Sequence, residues 1–147
     1  MSQLIMLADD SPTIRKIVEV VLSREGYEVV TVPDGVEALR YLLTAQARLP
    51  DLILLDIEMP RMDGYTLALR CRYRERPRLA HIPIVMLSRR SGVVDRLKAR
   101  LAGAHVYLTK PFTQQDLRAL VAACIGPAHD HQAHPHQPGP IRLVHSG

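Results

Sequence analysis

The feature that most constrains this chain is a series of short apolar runs, each closed by a polar residue with chemistry to offer. Asp9 and Asp10 follow LIMLA, Asp56 follows LILL, Ser88 follows IVML, and Lys110 follows HVYLT. Runs that stay apolar along their length, with helical stretches between them, read as strands buried on both faces. That is the pattern of a parallel sheet between two helix layers. Ligands of an open parallel sheet bind beyond the carboxyl ends of its strands. Residues far apart in sequence should therefore meet at one edge, where three acids, a hydroxyl and an amine suit a divalent cation and a phosphoryl group.

The alternation of strand and helix repeats five times. Strands are predicted at residues 3–8, 27–32, 52–55, 82–87 and 105–108. Ser11 caps the first helix with Pro12 at its first position, and Ile14, Ile17, Val18, Val21 and Leu22 form its apolar stripe. Gly26 is the expected stop. The second helix opens at Pro33-Asp34-Gly35 and runs to about Ala47, with Val36, Leu39, Leu42 and Leu43 inward. The third spans about Tyr65–Glu75 and the fourth about Gly92–Ala102. The fifth, about Thr113–Cys124, buries Leu117, Leu120, Val121 and Cys124. Right-handed crossovers then place helices on both faces of the sheet.

A length of 147 residues, 47% of them hydrophobic, fits one domain with an aliphatic core, since there is no Trp and a single Phe. No run reaches the roughly 20 apolar residues of a membrane span, and the start lacks a signal-peptide pattern. Cys71 and Cys124 have no CxxC spacing and read as idle thiols of a reducing cytoplasm. The formal charge of +4 is concentrated in Arg70–Arg78 and Ser88–Arg100. Arginines at every second position scatter around a helix axis, so a solvated face or an acidic protein partner is expected rather than nucleic acid.

Three carboxylates at one edge carry an electrostatic cost. Two like charges ~4 Å apart repel by roughly 4 kcal/mol at an effective dielectric of 20. Asp9, Asp10 and Asp56 would raise one another's pKa unless a cation neutralised them. A hard, oxygen-preferring ion such as Mg²⁺ suits that set. Asp56, at the end of the central strand, is the best-placed nucleophile, and attack on phosphorus would give an acyl phosphate. Lys110 supplies a compact positive charge for the transferring oxygens, and Ser88 a hydrogen-bond donor. Taken singly, each has a plainer reading: a helix-capping acid pair, a surface lysine, a capping serine.

At LADDS, LLDIEMPRMDG, VMLS and YLTKPF the chain resembles the receiver domain of bacterial two-component response regulators, over about residues 3–124. The resemblance implies a flavodoxin-like α/β three-layer sandwich, doubly wound, with parallel strand order 2-1-3-4-5. It also implies Asp56 as phosphoacceptor, taking its phosphoryl group from a histidine kinase or phosphotransfer protein. By the same likeness, Asp10, Asp56 and the backbone carbonyl of Glu58 would ligate Mg²⁺, with Asp9 acting through water. Ser88 and Tyr107 would be the switch pair, changing the face of the fourth helix, fifth strand and fifth helix toward an effector protein. The Lys110-Pro111 bond is cis in such domains. RMDGY, MLS followed by basic residues, and YLTKPF further suggest stand-alone regulators of type IV pilus twitching motility.

One segment departs from the family. Arg89 and Arg90 follow the switch hydroxyl where a small residue is usual, and Glu58 lies two positions past the acceptor. Two readings stand level for this pair: a Glu58–Arg90 bridge across the phosphoryl site, hindering attacking water, or two separately solvated side chains. From Gly126 the composition turns to Pro, Gly and His without periodicity, so residues 1–125 form the receiver and 126–147 a disordered tail. Its His129, His131, His134 and His136 hold no fixed geometry, and Ni²⁺ or Zn²⁺ binding there would be adventitious.

The expected function is that of a cytoplasmic signalling module that promotes its own phosphotransfer, not of an enzyme with a separate substrate. A small aspartyl phosphohydrolase is the alternative of another class. Such enzymes carry their nucleophile on the first strand and add a cap domain, whereas the acceptor here is on the third. A DNA-binding regulator lacking its output domain is the other alternative, and the tail is too short to be that domain.

Overall fold

The computed structural model describes residues 2–44, 46, 48–74 and 77–128. Five strands, β1 Leu4–Ala8, β2 Glu28–Val32, β3 Leu52–Asp56, β4 Ile84–Ser88 and β5 Val106–Thr109, form one parallel sheet in the order β2-β1-β3-β4-β5. The helices are α1 Pro12–Arg24, α2 Gly35–Leu43, α3 Gly64–Tyr73, α4 Val93–Leu101 and α5 Gln114–Ile125. The flavodoxin-like architecture expected from the sequence is the one observed.

Because side chains alternate across a strand, each strand feeds two cores. Ile5, Leu7, Leu54 and Leu87 pack with Val18 and Leu22 of α1 and Leu117 and Val121 of α5. On the opposite face Met6, Ile53, Leu55 and Met86 pack with α2, α3 and α4 through Leu42, Leu67 and Ala99. Burying both faces is what demands uninterrupted apolar strands, and β1, β3 and β4 are buried at every position.

Register decides where the polar residues arrive. Ala8 is level with Leu55, Asp56 with Leu87, and Ser88 with Thr109. Asp9, Asp56, Ser88 and Lys110 thus emerge on adjoining strands at one edge.

Helix starts follow local chemistry. Ser11 accepts from the Ile14 amide with Pro12 at the first position, and Asp34 accepts from Glu37 N. Asp63 caps α3 by accepting from Thr66 N, and Thr113 with Asp116 makes a reciprocal capping box on α5. Gly26 follows α1 with φ 101°, the left-handed conformation glycine adopts readily.

Some boundaries differ from expectation. α2 ends at Leu43 because Thr44 turns extended (ψ 122°) and caps it. Ala45 and Ala47, into which the helix was expected to continue, and Glu75, the expected end of α3, lie outside the described residues. β4 begins at Ile84, two residues late, because Pro77–His81 forms a 3₁₀ turn whose Leu79 is buried in the core. Ile17, expected inward on α1, is 41% exposed, and Val36 is only half-buried while Ala38 is fully covered.

At the carboxyl end the body continues past Ile125. Tyr27 Oη donates to Gly126 O at 2.8 Å and Gln3 Nε2 to Pro127 O at 2.9 Å. The tail's histidines, from His129 on, lie outside the described residues.

Candidate functional site

At the carboxyl edge of β1, β3 and β4 the five polar residues converge. Carboxylate oxygens of Asp9, Asp10 and Asp56 lie within 4.8 Å of one another. Asp9 is fully buried, Asp56 nearly so, and Asp10 faces solvent. Lys110 Nζ sits 2.7 Å from Asp9 Oδ2 and 3.6 Å from Asp56 Oδ1, and its side chain is only 12% exposed. One ammonium therefore faces three carboxylates.

That imbalance is visible in Asp56, whose pKa is pushed from 3.8 up to about 6. Burial is the main cause and the neighbouring Asp9 charge the second; Lys110 and the Glu58 amide, which donates to Asp56 Oδ1 at 3.2 Å, offset them in part.

Backbone constraints hold these acids in place. Asp9 Oδ1 accepts from Ser11 N at 2.9 Å, so the acid and the α1 cap share one turn. The Asp9 carbonyl accepts from Arg15 Nη1 at 2.7 Å. After β3 the chain turns back so that Gly64 N donates to Ile57 O at 2.9 Å. A Cβ at Gly64 would stand 2.7 Å from the Asp56 carbonyl oxygen, so only glycine admits that return.

Ser88 is buried at 1% exposure, and its Oγ accepts from the Arg90 amide at 3.0 Å. Tyr107 is half-buried, and its Oη donates to the Arg90 carbonyl at 2.5 Å while Arg96 stacks 5.5 Å from its ring centre. Arg90 Nε lies 3.3 Å from Glu58 Oε1, with both side chains more than half exposed. Of the two readings of that pair, the Glu58–Arg90 bridge is the one present in the geometry. Arg90 consequently touches Glu58 through its guanidinium, Ser88 through its amide and Tyr107 through its carbonyl. Arg89 is exposed. The Lys110-Pro111 peptide is cis, as the family resemblance implied.

Two contributors were not singled out from sequence. Arg15 bonds the Asp9 carbonyl; its place one turn after the Ser11 cap was the available signal. Arg61, in the loop after β3, takes φ 67° and reaches Asp34 Oδ2 through Nε at 3.2 Å and Nη2 at 2.8 Å. This clamp ties that loop to the start of α2, where Gly35 leaves no room for a Cβ beside the Met62 carbonyl. Nothing local in sequence pairs Arg61 with Asp34.

The donors gathered here are all oxygens, they carry excess negative charge, and two of the three acids are withdrawn from water. Such a set fits a hard divalent cation such as Mg²⁺ and offers nothing to a soft, thiolate-seeking metal.

The chain is thus an open parallel sheet with an acid cluster, a hydroxyl and an ammonium at the carboxyl edge of its strands. Residues 5–122 match the response regulator receiver domain, and the chain belongs to that family. It is 38% identical to protein PilG of Pseudomonas aeruginosa over 120 residues, 81% of this chain and 84% of PilG. Chemotaxis response regulator CheY4 of Vibrio cholerae superposes with a TM-score of 0.77 at 30% identity, covering 85% of this chain and 100% of that one. The receiver domain of sensor histidine kinase PA1611 from Pseudomonas aeruginosa, solved with magnesium coordinated in its active-site cleft, superposes at 0.75. It is 32% identical, with 86% and 99% of the two chains covered. Several transcriptional regulators also match, and the chain spans only 43–48% of their length. No helix among the described residues is long and apolar enough to cross a membrane.

Proposed function

We propose that this receiver accepts a phosphoryl group on Asp56 from the phosphohistidine of a histidine kinase or phosphotransfer protein, in the cytoplasm, and passes the signal on through a protein-binding face. The observation that carries this reading is the Asp56 carboxylate, raised to about 6 and set among Asp9, Asp10 and Lys110. In transfer, an Asp56 oxygen bonds to phosphorus as the phosphorus–nitrogen bond of the donor breaks, and the electron pair leaves with the imidazole. Asp10, Asp56 and the Glu58 carbonyl would hold Mg²⁺, with Asp9 acting through water. The ion would supply charge neutralisation for the transferring oxygens.

Lys110 already lies between Asp9 and Asp56 and can turn its ammonium to a phosphoryl oxygen. Ser88 Oγ lends its lone pair to the Arg90 amide, and recruitment of its hydroxyl by a phosphoryl oxygen would change that bond. The Arg90 carbonyl in turn holds Tyr107, so a change at Ser88 reaches the face formed by α4, β5 and α5. This is a local charge event biasing a two-state element. The Glu58–Arg90 bridge stands at the mouth of the site and should slow attacking water. The module turns over no separate substrate.

Similarity to PilG over most of both chains supports a stand-alone regulator of the twitching-motility type. The longer transcriptional regulators leave a DNA-binding regulator as the second reading. The decisive experiment is incubation with Mg²⁺ and acetyl phosphate followed by intact-mass analysis. A single phosphate adduct is expected, absent in Asp56→Ala and without Mg²⁺; an adduct that persists in Asp56→Ala refutes the assignment. Glu58→Asn with Arg90→Ala should shorten the adduct's lifetime, and an unchanged lifetime removes the bridge from the account.

A further inference from the structure

α4 is the least firmly seated helix of the sheet's two layers. α1, α2, α3 and α5 each start on a side-chain cap and bury three apolar side chains. α4 starts at Gly92 with no side-chain cap among the described residues, and it buries only Ala99. Its larger apolar residues, Val93, Val94, Leu97 and Leu101, are exposed. An element with so little buried apolar surface belongs to the low-stability end of a structure. A few individual side chains therefore decide where α4 lies.

On the α3 side that side chain is Tyr65. Its hydroxyl donates to the Asp95 carbonyl at 3.3 Å, and Lys98 Nζ stands 4.7 Å from its ring centre. Asp95 and Lys98 are three positions apart and share one face of the helix, so the ring is gripped from that face. On the β5 side the corresponding residue is Arg96. It stacks 5.5 Å from the Tyr107 ring centre and donates from Nε to Ser91 O at 3.3 Å. The opening turns of α4 are thus held from two sides, by Tyr65 and by Tyr107. Both rings pack against the same core. They are close enough that Tyr107, after burial itself, is the next cause raising the Tyr65 hydroxyl above its ordinary pKa.

Tyr65 also leads back to Asp56. It follows Gly64, whose amide donates to Ile57 O at 2.9 Å. Gly64 lies so close to the acceptor's main chain that a Cβ there would stand 2.7 Å from the Asp56 carbonyl oxygen. A side chain one residue from that contact cannot drift independently of β3. A pull on α4 from Tyr107, transmitted through Arg96, is therefore opposed by an anchor fixed to the acceptor strand.

We propose that Tyr65 is a positioning residue of the switch, its hydroxyl latching the start of α4 to α3 through the Asp95 carbonyl and so favouring the resting arrangement that phosphorylation has to overcome. This deepens the reading of Asp56 as phosphoacceptor and rests on it for the trigger, whereas the latch itself is measurable in the unphosphorylated chain. Position between two sites is not evidence of coupling, so the test measures coupling directly.

The full chain is compared with Tyr65→Phe, which removes one oxygen and keeps the ring, and with Tyr41→Phe, which removes a hydroxyl that donates to Arg48 O from α2. In metal-free, unphosphorylated protein, hydrogen–deuterium exchange of the α4 amides should quicken about fivefold in Tyr65→Phe alone, with α1 and α5 unchanged. Beryllofluoride, a mimic of the phosphoryl group, is then titrated in saturating Mg²⁺. Loss of a latch that favours the resting state should tighten its binding by about two- to fivefold. The affinity for Mg²⁺ without beryllofluoride should stay that of the wild type. A hydroxyl with only a structural role would speed exchange and leave beryllofluoride affinity where it was. Unchanged or weaker beryllofluoride binding in Tyr65→Phe overturns the proposal, as does an equal effect of Tyr41→Phe. A change in Mg²⁺ affinity by the same factor overturns it too, since Tyr65 would then support the metal site and not the switch. Unchanged α4 exchange in Tyr65→Phe removes the latch alone. A wild type that binds no beryllofluoride removes the phosphoacceptor reading and the trigger with it.

Discussion

Asp34 and Asp56 are each 6% exposed, yet their carboxyls are displaced in opposite directions. Burial tends to raise both. At Asp34 that tendency is outweighed by the Glu37 amide and the Arg61 guanidinium, and its pKa falls below 3.8. At Asp56 burial is reinforced by Asp9, only partly offset by Lys110, and the value rises to about 6. One carboxylate is satisfied by the fold and serves to tie a loop to a helix. The other is left short of positive charge, and that shortfall is what a cation and a phosphoryl-transfer site can use. Equal surface exposure therefore says little about role; depth in the fold together with the balance of partners decides it.

The largest effect that would sharpen this contrast is removal of the one ammonium in the cluster. Lys110→Met leaves Asp9 buried beside Asp10 and Asp56 without its 2.7 Å partner. Breaking such a buried pair costs about 3 kcal/mol, so urea denaturation without metal should show a loss of that order. Saturating Mg²⁺ should restore part of it, because a cation binding only the folded state stabilises it.

Asp56→Asn should act in the reverse sense. A folded-state value raised above 3.8 means that the folded protein holds the proton more tightly than the unfolded chain. That contribution is complete below about 4 and is lost as pH rises through about 6. The amide cannot ionise, so the metal-free variant should gain about 1–2 kcal/mol at pH 7–8 and nothing near pH 4. A variant less stable than wild type at pH 8 without metal would break the comparison.

Asp34→Ala should lose about 1–2 kcal/mol through the missing cap and the stranded Arg61. Its sign is opposite to that of Asp56: a lowered carboxyl stabilises above its unfolded value, and the contribution disappears as pH falls below 3.8. Denaturation with and without Mg²⁺ should give the same loss, since this pair lies outside the acid cluster.

The strand ends were legible because chemistry there is written locally. Uninterrupted apolar runs closed by Asp9, Asp10, Asp56, Ser88 and Lys110 need only a parallel sheet to bring them together, and the Ser11-Pro12 start of α1 needs only its own turn. The Glu58–Arg90 bridge could be anticipated because both residues sit a fixed two positions beyond strand ends that are neighbours in the sheet. What escaped depends on contacts between distant segments. Arg61 and Asp34 meet only because the β3–α3 loop crosses the start of α2. The 3₁₀ turn at Pro77–His81 exists because Leu79 finds the core. The outward stripe of α4 carries the same apolar spacing as an inward one, and Ala99 is what turns it around: the smallest apolar side chain takes the sheet-facing place and leaves the large ones outside.

The carboxyl carbon of Asp56, followed by NMR through a pH titration with and without Mg²⁺, tests the central claim most directly. A midpoint near 6 in metal-free buffer is predicted, moving below about 4 when Mg²⁺ saturates the site. An ordinary midpoint near 3.8 without metal, unmoved by Mg²⁺, would contradict the account of Asp56 as a carboxylate whose missing charge partner is a cation.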